Sequence, residues 1–440
     1  MAKRAAASRR DFLKTSSLAA TVFGLPTIIP ASALGRDGRV APSERIQMGF
    51  IGTGGKGRHN MEQFLGFTDC QVLAVCDVDS KHQDAASSMV NERYGNQDCK
   101  AIHDYRELAA HPGLDAICVS TPDHWHAVAT VAALQGGKDV YCEKPLSNSV
   151  YEGRAICRAA ALNNRIVQTG SHERSGDTRR MACELVRNGR IGKLHTIRIN
   201  LPTTDQHHLQ VKQWLEPAPE MPIPESLDWD MWLGHTPVVP YTEKRCHFWW
   251  RFILAYGGGE MTDRGAHVID LAQLGADKDN TGPVEYIARG SRNASGLFDA
   301  FMDYVFVNIY ADGLKMIGST AGPRGVKFEG DEGWIFIHVH DPLVEASDPR
   351  ILESQLQEGE VSLGRSPGHH RNFIDCVRSR QEPMASAEVG HRTATICHLN
   401  NIAMKLGRSL QWDPVNEVVI GDEEANKLLK PDMRSPWNLT

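Results

Sequence analysis

The sequence is poor in cysteine and has no excess of positive charge. Its ten cysteines among 440 residues are too few for a disulfide scaffold, and no two of them form a C-x-x-C pair, which excludes a zinc ribbon. Lysine and arginine number 48 against 54 aspartates and glutamates, so the net charge is −6, and such a chain is a poor candidate for a general nucleic-acid binder. The 41% hydrophobic and 23% charged residues exclude a largely disordered or collagen-like chain. The length of 440 residues predicts two or three domains.

One uncharged stretch lies near the N-terminus, at residues 15–32. It is shorter than the ~20 residues that a membrane-spanning helix needs. It follows a basic segment at residues 3–10 and ends in Ala31-Ser32-Ala33, a pattern typical of a secretory signal. A buried N-terminal helix is the alternative.

The segment Ser8-Arg9-Arg10-Asp11-Phe12-Leu13-Lys14 matches a twin-arginine export signal, which a receptor reads. We therefore expect residues 1–33 to be a signal peptide that directs the chain to the periplasm through the twin-arginine (Tat) machinery. Cleavage after Ala33 removes five basic residues and one acidic residue, which changes the net charge from −6 to −10. This export pathway resembles a route for proteins that fold in the cytoplasm, often around a cofactor.

Five short apolar runs in the first half predict buried strands. They are Ile46–Ile51, Gln71–Cys76, Asp115–Ser120, Val140–Glu143 and Arg165–Gly170. Helical stretches separate them, such as residues 58–66, and strands that alternate with helices indicate a parallel, doubly wound α/β sheet. The cysteines within these runs, Cys76, Cys118 and Cys142, are expected to be small buried core residues.

After about residue 180, apolar residues alternate with polar ones, as in strands with one wet face. The pattern occurs at Leu194–Leu201, Tyr304–Tyr310, Leu314–Ser319 and Trp334–His340, and Asp312-Gly313 supplies a hairpin turn. The second half is therefore predicted to be an α/β region with an open, predominantly antiparallel sheet. It includes helices at residues 369–378 and 389–406 and a long loop at residues 211–240 near a site.

The segment Gly52-Thr53-Gly54-Gly55-Lys56-Gly57 is a G-x-G-x-x-G motif between a predicted strand and a predicted helix. Gly52 permits a tight turn, Gly54 lets the backbone approach a pyrophosphate, and Gly57 lets the helix pack closely on the strand. Asp77 follows at the end of the next strand, where it would accept hydrogen bonds from the adenosine ribose. Because its charge repels a 2′-phosphate, NAD is favoured over NADP. An ordinary glycine turn is the alternative.

Three further polar stretches stand where a doubly wound sheet places its site. The first is Thr121-Pro122-Asp123-His124-Trp125-His126, the second is Glu143-Lys144-Pro145, and the third covers residues 257–270. The first two follow predicted strands, and ligands bind at strand carboxyl ends. In the third, Asp263, His267 and Asp270 are spaced i, i+4, i+7, which predicts that one helix face presents all three.

These motifs resemble those of the Gfo/Idh/MocA oxidoreductases, the family of glucose–fructose oxidoreductase and inositol dehydrogenase. The family's E-K-P motif corresponds to Glu143-Lys144-Pro145, and its G-G-x-x-x-D-x-G-x-H-x-x-D pattern is met by Gly258, Gly259, Asp263, Gly265, His267 and Asp270. The resemblance covers nearly the whole chain after the predicted signal. It implies a Rossmann NAD-binding domain at residues 34–170 and a C-terminal α/β substrate-binding domain at residues 171–440, whose open sheet often forms the oligomer interface.

The family's catalytic triad corresponds to Lys144, Asp263 and His267. Oxidising a secondary alcohol requires removal of the hydroxyl proton, and a histidine is a natural general base because its ordinary pKa is close to neutral pH. We assign His267 as the base, Lys144 as the group that stabilises the developing alkoxide, and Asp263 as the orienting hydrogen-bond partner. Each also has a structural alternative: a surface lysine, a helix cap and a buried histidine.

Further residues are candidate ligand contacts. Those expected along the cofactor are Gly52, Thr53, Gly54, Gly57, Asp77, Thr121, Pro122, His124, Glu143 and Lys144. Those expected at the substrate are His172, Arg174, Trp250, Arg251, Asp263 and His267. No metal is expected, because the adjacent histidines at His207-His208 and His369-His370 would face apart on a strand and lack an acidic or cysteine partner at ligand spacing.

An exported nicotinamide enzyme has no access to the cytosolic NAD pool, so it should hold its cofactor tightly and regenerate it within the site. We favour an oxidoreductase acting on a secondary hydroxyl of a sugar, polyol or glycoside, the commoner activity in the family. The alternative is redox-neutral cleavage of a glycoside through a keto-sugar. A third hypothesis is a non-catalytic sugar-binding protein with a structural NAD, although the presence of Lys144 and His267 argues against it. After signal cleavage neither a nucleic acid nor a membrane is an expected partner.

Overall fold

Parallel strands form the first of two sheets in the computed structural model, which describes residues 40–439. The six strands are β1 Ile46–Ile51, β2 Cys70–Cys76, β3 Lys100–Ile102, β4 Ala116–Val119, β5 Asp139–Cys142 and β6 Val167–Thr169. They lie in the order β3-β2-β1-β4-β5-β6, and each neighbouring pair is parallel. The predicted doubly wound parallel sheet is confirmed. Strand β3 was not predicted, because it is short, lies at the sheet edge and has no buried residue.

Helices connect these strands and cover both faces of the first sheet. They are α1 Gly55–Leu65, α2 Ser80–Tyr94, α3 Tyr105–Ala110, α4 Asp123–Gln135 and α5 Val150–Asn163. Successive side chains of a strand point to opposite faces, and Phe50 and Ile51 of β1 accordingly enter two different hydrophobic clusters. Burial on both faces explains why these strands are continuous apolar runs in the sequence.

The strand order reverses between β1 and β4. From β1 the chain passes through α1 to β2 on one side, and β4 lies on the other side of β1. At such a reversal the loops at the strand carboxyl ends separate and leave a crevice in which ligands bind. The loops after β1, β2, β4 and β5 therefore meet at one edge of the sheet.

A nine-stranded sheet forms the second half of the fold. Its strands are β7 Leu194–Asn200, β8 Glu285–Ser291, β9 Asp303–Ile309, β10 Lys315–Ser319, β11 Gly325–Gly330, β12 Gly333–His338, β13 Val344–Ala346, β14 Leu410–Asp413 and β15 Val418–Val419. The order is β13-β12-β11-β7-β10-β9-β8-β14-β15. Only β7 and β10 pair in parallel, so the predicted open, predominantly antiparallel sheet is confirmed. The hairpin predicted at Asp312-Gly313 joins β9 to β10, and Gly313 adopts a φ of 87°.

Helices cover one face of this second sheet. The helices after residue 170 are α6 Asp177–Arg187, α7 Gln206–Gln213, α8 Trp229–Leu233, α9 Glu260–Asp263, α10 Gly265–Gly275, α11 Pro349–Glu353, α12 His369–Ser379, α13 Ala387–Leu406 and α14 Glu423–Leu428. Single 3-10 turns occur at Pro42–Glu44, His172–Ser175, Glu243–Arg245 and Trp249–Phe252. Helices α10 and α13 pack on the inner face, where Phe306 of β9 is buried, whereas its neighbour Val305 is 58% exposed on the outer face.

Helix α13 also packs on α5 beside the first sheet, and the chain from Ile46 onward forms one compact unit. The domain boundary expected at residue 170 therefore stays a prediction. The stretch 211–240, expected as a loop, contains the end of α7 and all of α8.

All ten cysteines are free thiols, and Cys76, Cys118 and Cys142 are buried as expected. Within residues 40–439, none of the helices combines the length and the apolar character that crossing a bilayer takes. The expected signal peptide at residues 1–33 lies outside the described residues.

Candidate active site

The glycine-rich loop follows β1 and begins helix α1. Gly52 has a φ of 81°, and a Cβ atom there would lie 2.7 Å from the backbone nitrogen of Thr121. A Cβ atom on Gly57 would lie 2.0 Å from the carbonyl oxygen of Gly52. Both positions therefore need glycine, because a side chain would collide with backbone. Gly54 immediately precedes α1, so the free N–H groups of the first helical turn are available to a phosphate.

The carboxylate of Asp77 fixes this loop from the end of β2. Its Oδ2 accepts hydrogen bonds from the backbone nitrogen of Thr53 at 2.7 Å and from Thr53 Oγ1 at 3.2 Å. Its Oδ1 accepts from the backbone nitrogen of Asp79 at 2.9 Å. Thr53 is fully buried, so it supports the loop from behind, whereas Asp77 lines the adjoining cleft.

A cleft of about 440 Å³ opens at the carboxyl ends of the first sheet. One wall comes from that sheet and includes Gly52, Gly54, Asp77, Thr121, Pro122, Glu143 and Lys144, as expected for cofactor contacts. The other wall comes from the second half of the chain and includes Leu227, Met231, Trp232, His247, Phe248, Trp250, Arg251 and Asp263. The residues fit a dinucleotide, since the cleft combines a glycine loop without side chains, a free helix N-terminus and an acid at the end of the second strand.

Lys144 and Asp263 meet across this cleft. The Nζ atom of Lys144 donates to the backbone oxygen of Asp263 at 2.6 Å and to its Oδ1 at 2.7 Å. The Nε atom of Arg251 lies 3.6 Å from the same Oδ1. Burial alone would raise the pKa of Asp263, but the charges of Lys144 and Arg251 outweigh it and hold that pKa well below its usual value. The site therefore contains a carboxylate between two cations.

The carboxylate of Glu143 fixes the backbone of Lys144. Its buried carboxylate accepts from Asn60 Nδ2 at 3.0 Å, lies 3.3 Å from Lys56 Nζ, and accepts from the backbone nitrogen of Lys144 at 3.2 Å. Burial would raise the pKa of Glu143, but Lys56 and Asn60 lower it to about 2. Glu143 is therefore an anion whose carboxylate fixes the backbone nitrogen of Lys144.

His267 follows Asp263 by four residues, and it is not among the residues that line the cleft. Its side chain is buried, and its ring centroid lies 4.6 Å from that of His172 and 5.2 Å from that of His340. Burial, together with the charges of His172 and Lys144, lowers the pKa of His267 well below 6.5. The imidazole is therefore neutral near pH 7, which is the state that a general base requires.

Asp263, His267 and Asp270, which the sequence predicts on one helix face, lie on two helices that follow each other directly. Helix α9 ends at Asp263 and α10 begins at Gly265, with Arg264 between them at φ −94° and ψ −26°. Across this junction the backbone nitrogen of His267 donates to the oxygen of Arg264, only three residues earlier. Arg264 keeps helical dihedral angles, and the backbone nitrogen of Val268 donates to its oxygen at 3.3 Å, so the helical path continues. Asp263 contacts Lys144 in the cleft, whereas His267 and Asp270 are buried against His172 and Arg174 of one turn.

Arg174 and His124 do not take the positions expected for ligand contacts. Arg174 is buried, and Asp270 and Asp279 accept its guanidinium hydrogen bonds at 2.7 to 3.2 Å. Its charge is thus matched inside the protein and is not free to bind a substrate. The fully buried His124 contacts the carbonyl oxygen of Trp232 through Nε2 at 3.0 Å, and burial lowers its pKa to about 3. His124 therefore supports the cleft wall through Trp232 and does not itself line the cleft.

His207 and His208 lie on helix α7, so the prediction that they stand on a strand and face apart is wrong. Their Nε2 atoms are 3.1 Å apart, and Glu260 Oε2 lies 3.0 Å from His208 Nε2. Adjacent histidines can approach each other in this way on a helix. His369, at the start of α12, contacts the carbonyl oxygen of Thr169 at 2.9 Å.

Two further residues of the polar stretch predicted after the third strand line the cleft. Asp123, at the first turn of α4, lines the cleft, and burial raises its pKa well above the usual value. His126 also lines the cleft, and its Nδ1 contacts the carbonyl oxygen of Pro145 at 2.7 Å. Their position directly after Thr121-Pro122 is the sequence signal that indicated this stretch. Lys56 and His340 have no comparable signal.

Two protein-family models match the chain. The NAD-binding Rossmann-fold model of the Gfo/Idh/MocA oxidoreductase family matches residues 46–171. The C-terminal alpha/beta domain model of the same oxidoreductase family matches residues 178–439.

Curated relatives match part of the chain. An α-N-acetylgalactosaminidase from Shewanella oneidensis is 29% identical over 203 residues, covering 42% of this chain and 44% of the relative. A glycosyl hydrolase family 109 protein from a Shewanella species is 29% identical over 206 residues with the same coverage. The chain therefore spans less than half the length of these curated relatives.

Solved structures share the fold. The WlbA dehydrogenase from Bordetella pertussis, in complex with NADH and UDP-GlcNAcA, has a TM-score of 0.62 and 15% identity, covering 84% of this chain and 99% of that one. The aldose–aldose oxidoreductase from Caulobacter crescentus, complexed with glycerol, has a TM-score of 0.59 and 18% identity, covering 83% and 99%. Together with the two family models, which span most of the sequence, the fold and the cleft establish that this chain belongs to the Gfo/Idh/MocA family of NAD-binding oxidoreductases.

Proposed function

We propose that the chain is a NAD-dependent oxidoreductase acting on a secondary hydroxyl of a sugar, polyol or glycoside. The observation that carries this proposal is the contact of Lys144 with Asp263 across the cofactor cleft, with Nζ 2.7 Å from Oδ1. An ammonium group held in this way can stabilise negative charge that develops on a substrate oxygen. By their names, the Shewanella oneidensis and Caulobacter crescentus relatives act on sugars.

Three side chains would share the movement of proton and charge. Neutral His267 would accept the hydroxyl proton, and Lys144 would hold the resulting oxygen anion. Asp263 would fix the position of Lys144 through the two hydrogen bonds from Nζ. His172, Trp250 and Arg251 border this region and remain our candidates for substrate contacts. Bound NAD supplies the two-electron oxidant.

The second half of the chain covers the cofactor cleft, which supports a retained cofactor. Two segments of the second half line the cleft. The first contributes Leu227, Met231 and Trp232, and the second contributes His247, Phe248, Trp250 and Arg251. A dinucleotide bound here would lie between the first sheet and these side chains. We propose that NAD stays bound through many turnovers and is regenerated within the site.

Redox-neutral cleavage of a glycoside is the second candidate, and the names of the curated relatives favour it. In this scheme a hydroxyl is oxidised to a ketone, which acidifies the neighbouring C–H bond. The glycosidic oxygen then leaves with the bonding electron pair, water adds to the resulting double bond, and the ketone is reduced again. Electrons balance because the cofactor returns to its oxidised form in each cycle.

One experiment separates the two candidates. The cofactor is first released from purified protein and identified by mass spectrometry, and the protein is then incubated with sugars and glycosides in heavy water. Cleavage with deuterium on the ring carbon beside the oxidised position supports the redox-neutral route. An oxidised sugar without cleavage supports the oxidoreductase. If the protein carries NAD but changes none of the compounds, both candidates fail and the sugar-binding hypothesis is favoured.

We also propose that the chain is exported through the Tat pathway to the periplasm. The support is the Ser8–Lys14 motif and the basic-apolar pattern of residues 1–33. Fractionation of cells that express the full chain should place it in the periplasm, and substitution of both Arg9 and Arg10 by Lys should retain it in the cytoplasm. Periplasmic protein from the double variant would contradict the twin-arginine route.

We further propose that the outer face of the nine-stranded sheet forms a homo-oligomer interface. Val305 and Ile287 are 58% and 40% exposed on this face. They lie diagonally across the paired strands β9 and β8, where Arg289 is opposite Val305 and Val307 is opposite Ile287. Light scattering should find an oligomer for the unmodified protein and a smaller species for Val305→Asp. A monomer at micromolar concentration would contradict the proposal.

A further inference from the structure

A compact group of potential metal ligands lies beside His267. His172 and Glu173 belong to the 3-10 turn after β6, and His340 follows β12. His340 Nδ1 lies 2.9 Å from Glu173 Oε1, and His172 Nε2 lies 3.4 Å from the same oxygen. One ligand atom from each of the three residues lies within 4.8 Å of the other two.

These separations suit a small divalent transition-metal ion. Zinc bonds of about 2.0–2.2 Å in a tetrahedral arrangement place neighbouring ligand atoms roughly 3.4 Å apart. The distances from Glu173 to the two histidines, 2.9 and 3.4 Å, are close to that value. Two histidines and one carboxylate also form the protein ligand set of catalytic zinc sites, which leave a fourth position open.

The surroundings of Glu173 support this function. Its carboxylate is buried, and its second oxygen forms an ion pair with Arg179. A ligating carboxylate is commonly fixed by such an outer partner. The pair also balances the charge of Arg179, so the guanidinium does not stand as an unpaired cation beside the proposed ion.

The open position of the site would face the reaction centre. The side chains of His172 and His340 are 38% and 37% exposed, so an exogenous ligand can approach them. The ring of His267 lies against both, and its buried Nδ1 has no hydrogen-bond partner among residues 40–439. A metal ion here would therefore lie next to the proposed base.

We propose that His172, Glu173 and His340 bind a divalent transition-metal ion of the zinc class at the substrate end of the active site. Binding of the ion does not depend on the proposed reaction. Its function does, because that function would be to hold and polarise a substrate oxygen near His267. No sequence motif indicates this site, because His340 follows His172 by 168 positions.

Two other groups of histidines and acids meet the same distance criterion but suit a metal less well. Asp79, His82 and His247 lie in the cleft wall, where the dinucleotide is expected. Asp205, His207 and His208 have Arg264 3.3 Å from His207 Nε2, and Arg324 3.2 Å from Asp205 Oδ2. These guanidinium groups contact the ligand atoms themselves, whereas Arg179 contacts the Glu173 oxygen that does not face His340.

Titration of the NAD-loaded protein with Co²⁺, followed by visible absorption, tests the proposal independently of activity. Bound Co²⁺ in a low-coordinate nitrogen and oxygen site should give strong d–d bands that saturate at one equivalent and disappear when Zn²⁺ is added. His340→Ala should weaken Co²⁺ binding at least about 10-fold. Absence of saturable bands in the unmodified protein would overturn the proposal.

Two variants serve as controls. His338→Ala removes a histidine two residues earlier, which pairs with Glu345 at 2.5 Å and should leave the Co²⁺ spectrum unchanged. His207→Ala tests the group around Asp205. Equal spectra for His340→Ala and the unmodified protein, or loss of the bands in His207→Ala, would also overturn the assignment.

Circular dichroism and the NAD content of each variant establish that it is folded. A metal bound as described with no activity on any sugar would refute the proposed function and leave the metal site standing.

Discussion

The Nζ atom of Lys144 donates hydrogen bonds to both the backbone oxygen and the carboxylate of Asp263, at 2.6 and 2.7 Å, although 119 residues separate the two in the chain. This contact joins the end of β5 in the first sheet to the end of α9 in the second half. It brings a cation and an anion together beside the cofactor cleft. A substrate oxygen that enters this region would meet an ammonium group already fixed in place, which is the arrangement that lowers the barrier to forming an alkoxide.

Substitution of Lys144 by Ala should lower kcat by about 100-fold or more, because the developing charge on the substrate oxygen loses its stabilising partner. Bound NAD should remain, since the glycine loop and Asp77 are untouched. Steady-state turnover and the NAD released on denaturation measure the two effects. The control is Lys278→Ala, which removes another lysine that lies 2.7 Å from an aspartate, Asp312, on the surface. Normal turnover in Lys144→Ala would refute the assigned role.

Two neighbouring glycines should differ in their tolerance of a methyl group. Gly57→Ala would place a Cβ atom 2.0 Å from the Gly52 carbonyl oxygen, so it should reduce stability by about 1–3 kcal/mol and lower the NAD content. Gly55→Ala meets no atom within 4 Å and should be neutral or slightly stabilising. Urea denaturation and cofactor quantification compare the two variants. Equal behaviour would show that close packing of α1 on the loop does not require glycine at residue 57.

Asp77→Asn tests the cofactor preference while keeping an acceptor oxygen for the Thr53 backbone, which lies 2.7 Å from Oδ2. Removal of the charge should reduce the preference for NAD over NADP by at least about 10-fold, because the repulsion of a 2′-phosphate is lost. Affinities of the stripped protein for both cofactors give this ratio. An unchanged ratio would contradict a role of Asp77 at the ribose.

Acid should destabilise the protein through its buried histidines. His398, whose Nε2 lies 3.0 Å from the Ser147 carbonyl oxygen, has its pKa lowered from 6.5 to about 4 by burial. Below pH 6.5 His398 therefore binds a proton in the unfolded chain, whereas in the folded chain it stays neutral until the pH approaches 4. The stability contribution is fully present above pH 6.5 and is lost as the pH falls towards 4.

The slope of unfolding free energy against pH measures this effect. Between pH 6 and 5, His398→Asn should reduce the slope by about 1 kcal/mol per pH unit, close to the value for one proton. The same substitution at His195, which is exposed on β7, should leave the slope unchanged. Equal slopes in His398→Asn and the unmodified protein would show that His398 is not the group that titrates on unfolding.

Local patterns predicted the two sheets because each depends on short segments of chain. The apolar runs of β1, β2, β4 and β5 reflect burial on both faces, and the alternation in β9 reflects burial on one face. The glycine loop and Asp77 were predictable for the same reason, since strand, turn and acid follow one another within about thirty residues.

The errors arose where contacts between distant residues decide the structure. The spacing i, i+4, i+7 does not show that His267 and Asp270 are buried against His172 and Arg174. Nor could the sequence around Arg174 show that Asp270 and Asp279 would neutralise it, because both aspartates lie about a hundred residues away. His340 comes close to His267 through the packing of β12, so no sequence motif indicates this contact.

The proposed function is tested most directly by the spectrum of the bound nicotinamide. Its near-ultraviolet absorbance and fluorescence are recorded while the purified protein is mixed with single sugars, polyols and glycosides. We expect the protein to carry NAD as isolated and at least one compound to reduce it within the site, while Lys144→Ala with the same cofactor content responds far more slowly. A protein that carries NAD whose spectrum no compound changes, and that forms no product from any of them, would contradict the proposed oxidoreductase.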